Sequence, residues 1–273
     1  PRSGCPSLSS QTRAAGTPDE RLPDHVETGT LLLLALAGFA GGFINAAVGS
    51  GTLLVYPVLL AAGLPPVAAN GTNTAGLSPG SFSSAWAYRL ELRDRLSILG
   101  RPLIATVIGA AVGATLVVAM PSRVFTSVVP WLVGLATVLI AVQPLLSKWV
   151  TTHREPGEHT LWPWTGAVGT YGGYFGAAQG IMYMSVLGLL YDPDTQRSNG
   201  AKNLLAASAN VTAAVVFAIS GAVVWLAALA VAVGSIPGGY VGGRVARLLP
   251  NYVLRALVVL IGIGATLYLV LNR

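Results

Sequence analysis

Long, nearly uninterrupted runs of apolar residues constrain the fold of this chain more than any other feature. Residues 103–120, 124–146, 222–241 and 253–271 are runs of this kind. A helix needs roughly 20 apolar residues to cross about 30 Å of hydrocarbon. Inside a bilayer the backbone polar groups of each run must be paired, which a helix achieves within itself. The sequence therefore predicts an all-α polytopic membrane protein whose surroundings are a lipid bilayer.

The composition and the placement of charge agree with a membrane protein. Of the 273 residues, 53% are hydrophobic and 10% are charged, whereas about 25% of the residues of a soluble domain are charged. The net charge of +6 comes largely from basic residues in short loops between apolar runs, which is typical of cytoplasmic membrane loops. A nucleic-acid-binding protein instead gathers basic residues on one face of a domain. We therefore expect no nucleic-acid partner.

Interruptions divide the chain into two halves with the same order of segments. In the first half, residues 31–63 are apolar but broken at Gly49-Ser50-Gly51. In the second half, residues 162–191 are broken at Gln179-Gly180. Three further apolar runs follow each broken segment. The predicted divisions are a disordered tail over residues 1–29, a first repeat over 30–146, a cytoplasmic linker over 147–161 and a second repeat over 162–273.

The two halves are also similar residue by residue. The segment 38–49 (GFAGGFINAAVG) matches 169–180 (GTYGGYFGAAQG), and the polar cluster 70–73 (NGTN) matches 199–203 (NGAKN). Internal repeats of this kind are typical of secondary transporters. The predicted fold is two inverted repeats, each with a broken or re-entrant helix pair plus three transmembrane helices, and about eight to ten membrane segments in all.

The basic loops predict how the chain is oriented in the membrane. We expect the loop from Arg89 to Arg101, the linker, and the segments with Arg197 and Arg244 to be cytoplasmic, because lysine and arginine are in excess on that side. Each broken helix pair then returns to the side from which it enters. This arrangement inverts the second half relative to the first. It places both termini outside the cell (plasma or inner) membrane.

Each break exposes backbone groups that a transported solute can bind. A half-helix N-terminus has free N–H groups and a partial positive charge, so it attracts anions. Asparagine and threonine near such an end add hydrogen-bonding groups. The predicted substrate-binding residues are Asn45, Gly49, Ser50, Gly51, Thr72, Asn73, Gln179, Gly180, Asn199, Lys202 and Asn203.

Several of these residues also have a structural interpretation. Lys202 either neutralises a bound anion or extends toward lipid headgroups, as interfacial lysines do. Asn45 and Gln179, which lie inside apolar runs, either bind substrate or form hydrogen bonds between helices. Ser50 either donates a hydrogen bond to an anion or caps a half-helix.

The apolar runs lack the groups that catalysis or metal binding requires. Histidine occurs at His25, His153 and His159, all in polar segments, and the single cysteine is Cys5 in the tail. No Asp or Glu lies deep in an apolar run, and the chain has no Walker A sequence for ATP binding. We therefore predict no catalytic residue, no metal site and no cofactor, and thus a protein that is not an enzyme.

The motifs of both halves resemble those of a known family, the TauE/SafE sulfite exporters. The resemblance covers roughly residues 30–273. It implies a membrane exporter or permease for sulfite, sulfoacetate and related organosulfonates, built from two halves. The segments that carry it are 41–57 (GGFINAAVGSGTLLVYP), 63–66 (GLPP), 69–73 (ANGTN), 79–81 (PGS), 172–176 (GGYFG) and 199–203 (NGAKN).

These observations favour a secondary transporter that exports a small anion, sulfite or an organosulfonate, by alternating access between two repeats. Two alternatives stay open. The same residues suit an anion channel, and the absence of catalytic groups equally suits a non-catalytic membrane subunit. Association into a homo-oligomer is compatible with each of these functions.

Overall fold

The computed structural model describes residues 28–93, 96–152, 161–192, 194–245 and 251–271. Within these ranges the regular structure is helical, which confirms the all-α class. The predicted tail lies outside the described residues except for positions 28 and 29, which begin the first helix. Residues 153–160 of the predicted linker also lie outside them, whereas residues 147–152 continue a helix.

Five helices of the described part are long and apolar enough to cross a membrane, namely Thr28–Ala47 (α1), Gly100–Ala119 (α5), Ser122–Leu145 (within α6), Thr195–Ile219 (α9) and Trp225–Val245 (α10). The apolar helices α2 and α8 have 10 and 12 residues, about half of a full crossing. A multi-pass membrane protein is thereby confirmed. The helices are α1 (Thr28–Ala47), α2 (Thr52–Ala61), α3 (Pro66–Ala87), α4 (Arg89–Leu92), α5 (Gly100–Ala119), α6 (Ser122–Thr152), α7 (Leu161–Tyr174), α8 (Gln179–Leu190), α9 (Thr195–Ile219), α10 (Trp225–Val245) and α11 (Asn251–Leu271).

A short break follows the first helix of each half. The N–H groups of Val48 and Gly49 donate to the carbonyl of Ile44 over 2.7 and 3.1 Å. Gly49 has a φ of +84°, a left-handed conformation that glycine adopts without steric cost. The end of α1 is therefore a hydrogen-bonded cap. The two residues after α7 cap that helix onto Tyr171 in the same way, with Gly176 at a φ of +75°.

The second break lies one helical turn earlier than the sequence predicts. It covers Phe175–Ala178, whereas Gln179 and Gly180 are the first two residues of α8. The prediction of a break at Gln179-Gly180 was therefore wrong. The physical reason is that Gly176 provides the positive φ that ends α7, while Gly180 lies where another backbone approaches closely.

Small residues allow the first helix of each half to pack closely on a helix of the other half. A Cβ atom at Gly38 or Gly42 of α1 would meet the backbone of Val231 or Ser235 in α10. Helices in lipid associate through such faces because their backbones can approach closely there. The equivalent contacts between α7 and α5 are those of Gly169 with Thr106 and of Gly173 with Ala110.

The largely buried helices α3 and α9 pack against each other and run antiparallel. Gly71, near the start of α3, faces Phe217 near the end of α9. Gly200, near the start of α9, faces Tyr88, which follows α3. In addition, α3 packs on α10 and α9 packs on α5. The contact of α3 with α10 in one half therefore corresponds to the contact of α9 with α5 in the other. The inversion of one half across the membrane stays a prediction.

Replacing Gly234 by alanine is expected to destabilise the protein by about 1 to 3 kcal/mol, since overpacking a close contact costs that much. The new methyl group would overlap the Ala35 carbonyl of α1. Gly264 of α11 is the matched control, because a Cβ atom there has no neighbour within 4 Å outside its own helix. Gly264→Ala should be neutral or slightly stabilising, since alanine favours helices. Thermal unfolding in detergent measures the difference, and equal melting temperatures would contradict the close α1–α10 contact.

Candidate functional site

The backbones of the first break and the start of α8 meet in the interior. The N–H of Gly180 donates to the carbonyl of Gly49 over 3.1 Å. A Cβ atom on either of these glycines would collide with the backbone of the other. One at Gly51 would meet the carbonyl of Gly41, so the break also packs against α1. The structure therefore brings the predicted residues Gly49, Gly51 and Gly180 together at one junction.

A lysine of the central helix α9 reaches this junction. Lys202 is 1% exposed, and its Nζ donates to the carbonyl of Ala46 over 2.9 Å. That carbonyl belongs to the last turn of α1, where the helix dipole amounts to roughly half a negative charge. The ion pairs seen within the described residues join Arg197 to Asp192 and Asp194, and no described carboxylate pairs with Lys202. Its burial argues against the interpretation in which it extends to lipid headgroups.

Two more buried polar atoms, Asn203 Nδ2 and Ser50 Oγ, have no hydrogen-bond partner among the described residues. Asn203 follows Lys202 in α9, and Ser50 lies within the break that follows Ala46. A buried donor that lacks an acceptor costs about 1 to 3 kcal/mol. An ammonium, an amide and a hydroxyl that all retain donor capacity suit a ligand with several acceptor oxygens.

The polar cluster of α3 makes a separate set of contacts. Asn73 donates through Nδ2 to Thr52 Oγ1 over 3.2 Å, which joins α3 to the start of α2. Asn70 donates through Nδ2 to the carbonyl of Tyr174, the last residue of α7, over 3.0 Å. The α3 cluster therefore lies against the end of α7, whereas Lys202 lies against the end of α1.

Both polar clusters lie in the second turn of their helices rather than at the N-terminus itself. α3 begins at Pro66 and α9 at Thr195, and the N–H groups at the start of α9 are already capped by the Asp194 side chain. Thr72 accepts a hydrogen bond from the N–H of Val224, just before α10, over 3.0 Å. The first N–H groups of a helix have no partner within it, so Thr72 has a structural role there.

The two clusters contact opposite flanks of the first break. Asn73 donates to Thr52, the first residue after the break, whereas Lys202 donates to Ala46, just before it. Along the antiparallel pair α3 and α9, the two residues belong to helices that begin at opposite ends. That Thr72, Asn73, Lys202 and Asn203 bind one solute together stays a prediction.

Two other predicted residues form hydrogen bonds between elements. Asn45 of α1 donates to Ser81 Oγ of α3 over 3.0 Å. Asn199 of α9 donates to the hydroxyl of Tyr88, directly after α3, over 3.1 Å. Both contacts agree with the structural interpretation, in which polar residues join packed helices.

Polar networks that the sequence analysis missed continue from these residues. Gln179 donates to the hydroxyl of Tyr183 over 3.4 Å, and Tyr183 donates to Thr106 Oγ1 over 3.3 Å, which links α8 to α5. Ser81 also accepts from Asn210 of α9 over 3.0 Å. A polar side chain inside an apolar run was the available signal for Asn210.

Comparison with known proteins decides the family. The family model described as "Sulfite exporter TauE/SafE" matches residues 34–269. The chain belongs to this family. Membership in the TauE/SafE family confirms the resemblance noted in the sequence and identifies a membrane transporter rather than an enzyme.

Probable membrane transporter proteins of several bacteria match most of the chain. The probable membrane transporter protein ORF9 of Sinorhizobium sp is 28% identical over 245 residues, which cover 88% of this chain and 92% of the relative. The probable membrane transporter protein YfcA of Escherichia coli K12 is 28% identical over 229 residues, or 84% of this chain and 85% of the relative. A probable membrane transporter protein of Haemophilus influenzae is 25% identical over 246 residues, or 89% and 95%. No solved structure matches the chain significantly.

Gly49→Ala is expected to be much more destabilising than Gly63→Ala. Both glycines have a positive φ, +84° and +90°, so an alanine at either costs about 1 to 2 kcal/mol of backbone strain. A Cβ atom at Gly63 has no neighbour within 4 Å, whereas one at Gly49 would overlap Gly180. The overlap should add about 1 to 3 kcal/mol. Thermal unfolding of the two variants measures this difference, and an equal loss would show that the Gly49–Gly180 junction does not form.

Proposed function

We propose that this transporter exports small anions, sulfite or an organosulfonate, which bind beside Lys202. The observation that carries the proposal is a buried lysine whose Nζ makes one hydrogen bond, to Ala46, and has no carboxylate partner among the described residues. A buried charge without a counter-charge is strongly destabilising. The dipole of α1 supplies about half a negative charge, and a bound anion would supply the remainder.

The donors around Lys202 fit sulfite and sulfonate groups. Each of these groups has three oxygen atoms that share its negative charge and accept hydrogen bonds. A lysine ammonium has three N–H donors, and Lys202 uses one of them on Ala46. The amide of Asn203 and the hydroxyl of Ser50 have unpartnered atoms and add further donors. Hydrogen bonds in which one partner is charged are the stronger ones.

Alternating access is the mechanism that we propose for this transporter. Transporters built from repeats move one repeat against the other around a fixed binding site. The junction of Gly49 with Gly180 joins the two halves beside that site through one backbone hydrogen bond. In the proposed cycle the halves rock about this junction, so that Lys202 becomes accessible first from one side of the membrane and then from the other.

The basic residues support an orientation in the cell membrane with both termini outside. Arg89 follows α3, Arg197 lies in the first turn of α9, and Arg244 lies in the last turn of α10. The contact of Tyr88 with Asn199 holds the first two of these ends together, and α10 runs alongside α3 in the same direction. By the positive-inside rule this end of the bundle is cytoplasmic. The first helix then begins, and the last one ends, on the outer side.

Lys202→Met is expected to abolish anion binding while the protein stays folded, because methionine has a similar volume and no charge. Purified protein is heated with sulfite, sulfate, sulfoacetate or gluconate, all as sodium salts at one Na⁺ concentration. A ligand at a hundred times its Kd stabilises the folded state by about 2.7 kcal/mol. We expect sulfite or sulfoacetate to raise the melting temperature of the unmodified protein and not that of Lys202→Met. A shift of equal size in the variant would contradict the site.

Thr72→Val is the matched control, because it changes a buried polar residue at the other end of the central helix pair. It should lower the melting temperature, since the N–H of Val224 loses its acceptor at a cost of about 1 to 3 kcal/mol. Its response to the anion should be unchanged.

Counterflow of labelled sulfite in proteoliposomes then separates a carrier from a channel. A carrier gives saturable counterflow, and its absence would support the channel alternative.

A further inference from the structure

The two halves differ in what meets the end of the first helix. The eighth residue of α9 is Lys202, and its ammonium binds the C-terminal end of α1 at Ala46. The eighth residue of α3 is Asn73, and Asn70, one turn earlier, binds the C-terminal end of α7 at Tyr174. Each helix end carries a partial negative charge. At the end of α1 that charge meets a cation of the chain, whereas at the end of α7 it meets a neutral amide.

Three buried oxygen atoms beside the end of α7 have no hydrogen-bond partner among the described residues: Asn70 Oδ1, Asn73 Oδ1 and Tyr56 Oη. The residues that carry them are at most 1% exposed. Asn70 and Asn73 are one turn apart and so lie on one face of α3. Both amide nitrogens are already used, one on the Tyr174 carbonyl and one on Thr52 Oγ1.

Tyr56 belongs to α2, which packs beside the same end of α7. Thr52 and Tyr56 are one turn apart on α2, and Thr52 contacts Asn73. Since the short turn after α2 reverses the chain into α3, Tyr56 faces the level of Asn70. The ring of Tyr56 also packs edge-on against Phe175, the residue after α7, with centroids 5.2 Å apart. The three residues are therefore linked to the end of α7 and the start of α2 by these contacts.

The chemistry of these three oxygens favours a small monovalent cation. Carbonyl and hydroxyl oxygens together with a half-helix C-terminus are the groups that hold Na⁺ in secondary transporters. Divalent Ca²⁺ and Mg²⁺ are bound mainly through carboxylates. The described residues contain no cluster of three or more His, Cys, Asp or Glu that could hold a metal ion, and the amides of Asn70 and Asn73 donate to Tyr174 and Thr52. Three unpartnered buried acceptors would otherwise each carry a desolvation cost.

We propose that Asn70, Asn73 and Tyr56 form a binding site for a monovalent alkali cation, with Na⁺ as the first probe. The cation supplies at the end of α7 the positive charge that Lys202 supplies at the end of α1. This site is separate from the anion site, and its occupation does not require that sulfite or a sulfonate be the substrate.

The first test measures cation binding alone. Purified protein is heated in sodium, potassium or N-methylglucamine gluconate at equal ionic strength, without any sulfur anion. We expect a saturable rise in melting temperature with Na⁺ or K⁺ and none with the bulky organic cation. Tyr56→Phe should raise the half-saturating cation concentration by about tenfold or more, since altering a metal site's shell typically costs that much. Equal melting temperatures in all three salts would overturn the proposal, and the oxygens would then hold water only.

The second test replaces the cation by a side chain. Asn73→Lys places at the eighth position of α3 the residue found at the eighth position of α9. The variant should melt at a higher temperature than the unmodified protein without alkali cation, and it should not respond to Na⁺ or K⁺. A full response to Na⁺ in Asn73→Lys would contradict the site. If this variant does not fold, the cation titration of Tyr56→Phe decides instead, because an unchanged half-saturating concentration there rejects Tyr56 and the proposed site. Since no sulfur anion is present, failure of the anion proposal leaves both tests intact.

Discussion

The backbone contact between Gly49 and Gly180 is the interaction on which the arrangement of the site depends. A break in a membrane helix exposes N–H and C=O groups that hydrocarbon cannot satisfy. Here the first break is capped onto Ile44 and then bonds directly to the start of α8. The junction can therefore be buried, and Lys202 can approach the last turn of α1 without reaching lipid. Gly49 and Gly180 can come this close because neither has a side chain.

Around this junction, close packing of helices replaces the hydrophobic effect, which does not drive helices together in lipid. The glycines of α1 meet α10 and those of α7 meet α5, so each half depends on the other for its packing. Hydrogen bonds such as those of Asn45 and Asn210 with Ser81 connect the central helices. The same small residues that permit packing leave space for polar side chains between the helices, which a transporter requires.

The features that sequence reasoning could reach depend on local pattern. Apolar run lengths indicate the membrane class, and Gly49-Ser50-Gly51 indicates a break because few residues suit a helix less. The second break was displaced because both Gly176 and Gly180 fit a break locally, and only the approach of Gly49 distinguishes them. The contacts of Lys202 with Ala46 and of Val224 with Thr72 join residues 156 and 152 positions apart. Such contacts depend on how distant helices pack, including the antiparallel course of α3 and α9. The sequence therefore identified these polar residues but did not predict which residues they contact.

The buried position of Lys202 has an electrical consequence. A carrier that holds a fixed ammonium in its binding site is a monovalent cation when empty and neutral at that site when it has bound a monoanion. Each elementary charge that crosses the full membrane field changes the energy by about 2.3 kcal/mol per 100 mV. In the proposed alternating-access cycle, an inside-negative potential would act on the return of the empty carrier and pull its charged site toward the cytoplasm. The loaded step with a monoanion would carry almost no net charge at the site and would respond little to voltage. Under this proposal a protonated Lys202 would make the membrane potential favour the inward-facing state.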